Sequence, residues 1–184
     1  MRIWLCLGLS ALLLSSCFVS SSLLFTEADI KDSVNLLVNP GFAPYSLIGE
    51  EALKGWNVHV EPPAKDFDKI KIDPMYALEG DTSLKISASE YDIMLISEPF
   101  KVRRYGGYYS KVMVHSDSPK PPVITLQMIT FKDNGKITNR FKEKIRLEEG
   151  WNKLDVSAGF LRPGVSFGRI SILIPPFDEG SIWL

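Results

Sequence analysis

The sequence predicts an all-β sandwich, and three observations carry this prediction. Short segments alternate apolar and polar side chains, which is typical of strands that bury one face. Glycine and proline, 13 and 12 residues, are scattered between these segments without a period, as turns require. No helical pattern of useful length competes with them. We therefore expect about nine to eleven strands in one domain, a number typical of sandwiches.

The composition indicates one globular domain behind an N-terminal segment. The chain has 184 residues, of which 45% are hydrophobic, enough to bury one substantial core. Its net charge is -1, with both signs interspersed. A nucleic-acid-binding surface would require a basic excess, so the composition argues against a nucleic-acid partner.

The N-terminus reads as an export signal over residues 1–16. A single cation precedes an apolar run over residues 3–14, which is too short to span a bilayer comfortably. Leu14-Ser15-Ser16-Cys17 resembles a bacterial lipobox, which would make Cys17 the lipidated first residue and residues 17–34 a tether. An ordinary signal peptide cut among the serines, or an uncleaved anchor, is the alternative. The lipoprotein is favoured because no other mature cysteine could pair with Cys17.

Five segments describe the N-terminal half of the domain. Residues 35–42 suit a short buried strand that leaves the sheet through a tight turn at its Pro-Gly pair. Residues 56–61 and 83–89 alternate strictly and predict half-buried strands. Residues 64–74 read as a charged connection. Residues 92–97 are apolar on both faces, which predicts a central strand.

The C-terminal half contains the clearest hairpin. A strand from Val123 ends at Phe131, and the Asn-Gly turn after it supplies left-handed dihedrals. The return strand places four cations on one face: Arg140, Lys142, Lys144 and Arg146. Further strands are predicted over residues 108–116, 151–156, 169–174 and 181–184.

The inventory of catalytic groups is thin. The two histidines, His59 and His115, fall on the non-core faces of their strands and read as exposed structural residues. No nucleophile elbow, zinc-protease motif or Cys/His cluster occurs. The paired carboxylates lie beside Gly or Pro in predicted turns, where solvated acids are the rule. The sequence therefore predicts a protein that is not an enzyme.

A series of motifs resembles one family. The series runs through residues 35–42, Gly55-Trp56, residues 76–80, Gly107-Tyr108-Tyr109, Gly150-Trp151 and residues 180–184. It resembles carbohydrate-binding modules of the family 4, 9 and 22 type, which are galactose-binding-like jelly rolls. The resemblance covers residues 35–184 and implies a jelly-roll β-sandwich that binds polysaccharide without cleaving it. In the family the last strand continues further, so we expect residues 35–184 to be truncated in that strand.

The same resemblance implies a ligand site on the concave face of one sheet or on loops at its edge. Sugar rings stack on aromatic side chains, and their hydroxyls need amides or guanidinium groups around them. For any single candidate an ordinary solvated or edge-packing role is at least as good an interpretation. Trp56, Trp151 and Trp183 are assigned to core packing. The candidates are Tyr76, Arg103, Arg104, Tyr105, Tyr109, Gln127 and Phe131.

Partners and cofactors follow from the same reasoning. The partners expected are a glycan and a membrane, the latter through the lipid on an exported, envelope-anchored protein. The four-cation row would favour an acidic polysaccharide if it borders the cleft. No cofactor is expected. Many of these modules hold calcium, but Ala43 stands where the family has an acid, and a hard cation wants several oxygens.

Two other functions stay open at this point. The sandwich could be a protein-interaction module of a surface lipoprotein, in which case an apolar patch should replace the cleft. It could also be the N-terminal accessory domain of a larger glycoside hydrolase.

Overall fold

A computed structural model describes residues 25–43, 53–61, 69–78 and 80–184. The export signal and Cys17 lie outside these ranges. No helix within them is long and apolar enough to cross a membrane. Eleven strands occur in the described residues: β1 (Trp56–Glu61), β2 (Ile70–Asp73), β3 (Ser83–Ser89), β4 (Asp92–Ser97), β5 (Phe100–Lys101), β6 (Tyr108–Ser116), β7 (Val123–Phe131), β8 (Ile137–Arg146), β9 (Asn152–Ala158), β10 (Phe167–Ile174) and β11 (Phe177–Trp183).

The strands form two antiparallel sheets packed face to face, which confirms the predicted sandwich. The six-stranded sheet has the order β1-β4-β10-β7-β8, with β5 also paired to β10. The five-stranded sheet has the order β2-β3-β11-β6-β9. The core between them consists of the inward residues of both sheets, among them Leu126, Ile172, Leu84 and Val114. Each sheet thus has one outer face that takes no part in the core between the sheets.

The centre of the six-stranded sheet is the clearest case of alternation. On β10, Ile170, Ile172 and Ile174 are buried, and the residues between them point outward. The β7–β8 hairpin forms as predicted, and its turn contains Gly135 with a φ of 77°. The outward residues of β7, β8 and β10 therefore share one surface.

Two predictions about the N-terminal half are wrong. Residues 35–42 form no strand, because Asn39 and Phe42 adopt φ values of 51° and 52° and the Asn35 side chain accepts a hydrogen bond from the Leu37 N–H. Such side-chain bonds compete with a ladder. The connection predicted over residues 64–74 contains β2, which pairs with β3 and places Ile70 and Ile72 toward the core.

The part of the tether that the structure describes is ordered around a short 3-10 helix, Glu27–Ile30. Asp29 accepts hydrogen bonds from the backbone N–H and hydroxyl of Thr26, at 2.8 and 2.7 Å. Glu27 forms an ion pair with Lys111 of β6 at 2.7 Å. The sequence predicts no structure here, and the local cap together with the ion pairs of Glu27 with Lys111 and Lys153 explains the difference.

Gly55 lets the segment around Val38 pack closely against the start of β1. Its φ is 88°, and a Cβ there would lie 2.5 Å from the Val38 carbonyl oxygen. Only glycine tolerates both conditions. The adjacent Trp56 packs on Phe42 with ring centroids 5.1 Å apart, and its indole N–H donates to the Asn39 carbonyl. Trp56 therefore takes the core position predicted for it.

We predict that Ile172→Ala lowers the free energy of unfolding by about 2–5 kcal/mol, because it leaves a cavity among packed neighbours. The exposed fraction of Ile172 is 2%, against 40% for Ile137, which makes Ile137→Ala a matched control. Urea unfolding of both variants measures the difference. Equal losses in the two variants would contradict the assignment of the core.

Candidate functional site

The outer face of the six-stranded sheet is lined at its centre by β7 and β10. Gln127 and Phe131 point outward from β7, as their spacing predicted. Across the ladder, Gln127 pairs with Ser171 and Phe131 pairs with Phe167. The rings of Phe131 and Phe167 stack, with centroids 5.0 Å apart and planes within 11°. This face thus has an aromatic end and a polar centre.

Ser171 stands at that polar centre. Its side chain points outward between Gln127 and Ile96, yet only 1% of the residue is exposed. The hydroxyl oxygen is buried and has no hydrogen-bond partner within the described residues. Leaving such a group unsatisfied costs about 1–3 kcal/mol. Because neighbouring side chains cover the oxygen, a ligand hydroxyl or carboxylate would satisfy it once those side chains moved aside.

Apolar and charged groups surround Ser171. Met94, Ile96 and Leu173 are half-buried on the same face. Arg169 lies two residues before Ser171 on β10, and its guanidinium donates to the Ser97 carbonyl at 3.3 Å. The face therefore offers apolar surface for the C–H side of a sugar ring and donors for its hydroxyls. Sequence reasoning missed Ser171 and Arg169, because only the ladder reveals their neighbours.

Tyr109 lies on the outer face of the five-stranded sheet, where it and Asp155 line a small pocket with Glu143 and Lys144 of the neighbouring β8 edge. Its hydroxyl donates to Asp155 Oδ2 at 2.6 Å and accepts from Lys153 Nζ at 3.4 Å. The hydrogen bond from Tyr109 is the largest cause that lowers the pKa of Asp155, and Lys153 adds to it. Burial, followed by the same hydrogen bond, raises the pKa of Tyr109. The phenol is thus already engaged by protein groups.

Tyr76 belongs to an aromatic cluster on that same face. Its ring stacks on Trp151 with centroids 5.8 Å apart and lies 5.0 Å from both His115 and Trp183. His115 Nδ1 donates to the Gly150 carbonyl at 2.9 Å, so Nε2 of the neutral ring accepts from the Tyr76 hydroxyl at 3.0 Å.

The assignment of Trp151 and Trp183 to the core is therefore wrong. Trp183 is 7% exposed, but it is buried by the outer cluster and not between the sheets. Its indole N–H donates to Asp73 at 2.9 Å, and Lys85 Nζ lies 5.0 Å from its ring. The alternation of β6 placed His115 outward, but it could not show that Trp183 pairs with it across the ladder.

The remaining candidates occupy a loop between β5 and β6. Tyr105 is 75% exposed, and the Arg104 guanidinium lies 4.9 Å from its ring centroid. The Arg103 backbone N–H donates to the Tyr108 hydroxyl at 2.6 Å. The structure thus divides the predicted site residues among three places: Gln127 and Phe131 on one sheet, Tyr76 and Tyr109 on the other, and Arg103, Arg104 and Tyr105 in this loop.

A cavity lies beneath residues 30–42. Its volume is about 570 Å³, and Leu36 and Phe42 face Leu126 and Met128 across it. Lys111 is the one charged residue in its lining. Polar and aromatic side chains also line it, among them Asn35, Ser110, Tyr109 and Trp151, so the cavity is a second concave surface that could contact a sugar. The face around Ser171 differs from it by its buried hydroxyl without a partner in the described residues.

A calcium site finds no support in the described residues. Ala43 is exposed next to the buried Phe42 and has no side-chain oxygen. Across the described ranges, no group of three His, Cys, Asp or Glu side chains converges in a way that could hold a metal ion.

Comparison with solved structures shows where this fold occurs. A carbohydrate-binding module, TmCBM61 in complex with β-1,4-galactotriose, is 19% identical, with a TM-score of 0.56 over 82% of this chain and 94% of that one. A family 16 carbohydrate-binding module is 14% identical, with a TM-score of 0.55 over 81% and 94%. An α-L-arabinofuranosidase is 16% identical, with a TM-score of 0.54 over 80% of this chain and 25% of the enzyme.

These similarities show the fold, a β-sandwich of the type found in carbohydrate-binding modules. No protein-family model and no curated protein sequence matches the chain. The narrower resemblance to families 4, 9 and 22 stays a prediction. Since one fold supports many functions, the function must be argued from the surface itself.

We predict that Tyr109→Phe raises the pKa of Asp155 toward its ordinary value of 3.8, because the variant lacks the hydrogen bond that lowers it most. Since the folded-state pKa is lowered, the ionised carboxylate stabilises the fold above about pH 4, and this contribution is lost as the pH falls through the lowered pKa. Carboxyl NMR titration measures the change.

Asp73 serves as the internal control in the same titration. Its pKa is lowered chiefly by the Trp183 indole N–H, which Tyr109→Phe leaves in place. The interpretation fails if the pKa of Asp155 stays where it is, or if both carboxyl groups shift together.

Proposed function

We propose that this chain is a non-catalytic carbohydrate-binding module whose binding surface is the outer face of the six-stranded sheet. The observation that carries the proposal is the Ser171 hydroxyl, buried at the centre of that face with no partner in the described residues. Gln127 lies next to it on one side, and Arg169 lies on its own strand. Together they supply an amide, a hydroxyl and a guanidinium to one small area.

The surroundings of Ser171 suit the two faces of a pyranose. Apolar side chains, Ile96 and Leu173 beside it and the Phe131–Phe167 stack further along, provide surface for ring C–H groups. Polar groups between them can bond the hydroxyls at the ring edge. The fold supports the proposal as well, since similar folds occur in solved carbohydrate-binding modules.

The carboxylates of this face support a binding role over catalysis. Hydrolysis of a glycosidic bond uses two carboxyl groups about 5–10 Å apart across the bond. Of the outward strand residues whose side chains the structure describes on this sheet, Asp92 is the one acid, and it lies at the start of β4. The similarity to the arabinofuranosidase covers only a quarter of that enzyme. This coverage fits a second form of the proposed function, in which the chain is an accessory binding domain of a larger hydrolase.

The proposed location follows from the N-terminal sequence. Residues 1–16 would direct export, and lipid on Cys17 would anchor the domain to the cell envelope. The docked segment around Glu27 would then hold the start of the sandwich close to the lipid. A glycan bound at Ser171 would be kept at the membrane surface.

We predict that the whole chain incorporates labelled palmitate when it is expressed in a bacterium and that Cys17→Ala abolishes the label, because the acylated residue is lost. Autoradiography of the immunoprecipitated protein measures the incorporation. Ser16→Ala, which changes the preceding small residue to another small one, is the control. A label that persists in the Cys17 variant would contradict lipid anchoring at Cys17.

We predict that Gln127→Ala and Arg169→Ala each weaken glycan binding by about tenfold or more, since each removes a polar contact worth about 1.5 kcal/mol. Affinity gel electrophoresis of residues 25–184 against a panel of polysaccharides measures the retardation. Met75→Ala, at a side chain that is 90% exposed in the loop after β2, is the control.

Two outcomes of this test would overturn the proposal. If Tyr76→Ala or Tyr109→Ala abolishes retardation and Gln127→Ala leaves it intact, the site lies on the five-stranded sheet. If a folded domain is retarded by no glycan, a protein-interaction role is favoured, and the exposed side chains of Met75, Tyr76 and Leu78 become the first surface to examine.

A further inference from the structure

The outer face of the six-stranded sheet has a row of cations along its β8 edge. Four outward residues of β8 are exposed and basic, and they oppose the outward residues of β7. Alternate residues on a strand lie about 6.7 Å apart, so the row is a regular ladder of positive charge. Its members are Arg140, Lys142, Lys144 and Arg146.

This row borders the proposed glycan site directly. Lys142 pairs with Gln127, and Gln127 pairs with Ser171 on the next strand. Neighbouring strands are about 4.8 Å apart, so a lysine side chain on β8 can reach over Gln127 toward Ser171. On the far side, Arg169 lies on β10 and Lys101 of β5 pairs with Phe167. Cations thus flank the centre of the face from both sides.

The charges of this face are unbalanced, although the whole chain is close to neutral with a net charge of -1. Within the described part of the chain, none of the four β8 cations forms an ion pair with an acid. The five-stranded sheet differs, because Lys111 pairs with Glu27 and Lys153 pairs with Asp155 at 3.1 Å. These two lysines are thus paired with acids, whereas the four β8 cations are exposed without an acidic partner in the described residues.

We propose that the glycan bound at this face is acidic, a polysaccharide whose sugar rings bear carboxylates. This inference rests on the proposed function and names its ligand class. The rings would lie over Ser171 and the apolar residues, while the carboxylates would meet the β8 cations and Arg169. Arginine binds carboxylates in a bidentate manner and lysine acts as a point charge, so the row accepts charge at several positions along a chain.

The electrostatics set the size of the expected effect. Each exposed ion pair is worth about 0.2–1 kcal/mol, so two lysines together contribute about a 2- to 30-fold change in affinity. Exposed pairs are screened within about 8–10 Å at ordinary ionic strength, so binding should weaken as salt rises. A neutral glycan would show neither dependence.

The test compares polygalacturonate with its methyl-esterified form, which keeps the sugar ring and removes the charge. Affinity gel electrophoresis uses wild type, Lys142→Gln, Lys142→Gln/Lys144→Gln and Lys71→Gln. Lys71 is exposed on β2 of the other sheet and matches Lys142→Gln in charge change. We expect stronger retardation by the acidic polymer, a 2- to 30-fold loss in the double variant, and little change in Lys71→Gln.

Each other outcome shows which proposal is wrong, the acidic ligand or the glycan site itself. Equal binding of the charged and esterified polymers, lost in Gln127→Ala and kept in the lysine variants, overturns the acidic ligand and leaves the glycan site in place. No retardation by either polymer or by any neutral glycan overturns both proposals. Equal weakening by Lys142→Gln and Lys71→Gln, or equally tight binding of a single-stranded DNA, shows nonspecific attraction of polyanions and overturns the acidic glycan.

Discussion

The register between β7 and β10 is the constraint on which the surface of this protein depends. Seven consecutive pairs join the two strands, from Phe167 with Phe131 to Leu173 with Thr125. Because side chains alternate, a slip of one residue would bring Gln127 into the core and push Leu126 out. The inward residues specify the register through burial. The outward residues, which contribute less to stability, are thereby placed with the same accuracy.

This division of roles explains how the sheet can hold an unsatisfied hydroxyl at Ser171. The neighbours of Ser171 along β10, Ile170 and Ile172, are 3% and 2% exposed and belong to the core. Burying each of them contributes about 1.5–3 kcal/mol, which offsets the cost of one unpartnered hydroxyl. A ligand that supplies the missing hydrogen bond would recover that cost on binding. Ser171 therefore lowers the stability locally within a sheet that is stable as a whole.

Sequence alone could predict whatever depends on neighbours along the chain. The bounds of β1, β3 and β6 follow from alternation, those of β4 follow from its apolar run, and the turn at Gly135 follows from turn chemistry. Strand β2 was not predicted, because the charged residues around it obscure the alternation of its two inward residues, Ile70 and Ile72. The strand predicted over residues 35–42 does not form, because Asn side chains bond the local backbone.

The candidate site residues show the same limit, because their positions depend on neighbours across the sheet and not along the chain. Gln127 and Tyr109 are both outward on their strands, and parity alone gives no means of assigning them to opposite sheets. Trp183 illustrates the converse, since an apolar residue near the end of a strand was assigned to the core and instead packs on His115 outside it. Cross-strand neighbours decide these cases, and they are set by topology.

The two outer faces differ in how their polar groups are used, and this difference supports the proposed binding role of the six-stranded sheet. On the five-stranded sheet, Tyr109, Lys153 and Asp155 satisfy one another, and Tyr76 covers His115. Groups that already have partners would have to exchange those bonds for bonds to a ligand, with little net gain. On the six-stranded sheet, the Ser171 hydroxyl has no partner among the described residues and the β8 cations are exposed. Contacts to these groups would replace no bond between described residues, whereas a contact to Arg169 would compete with its bond to the Ser97 carbonyl. That face therefore gains more from a ligand.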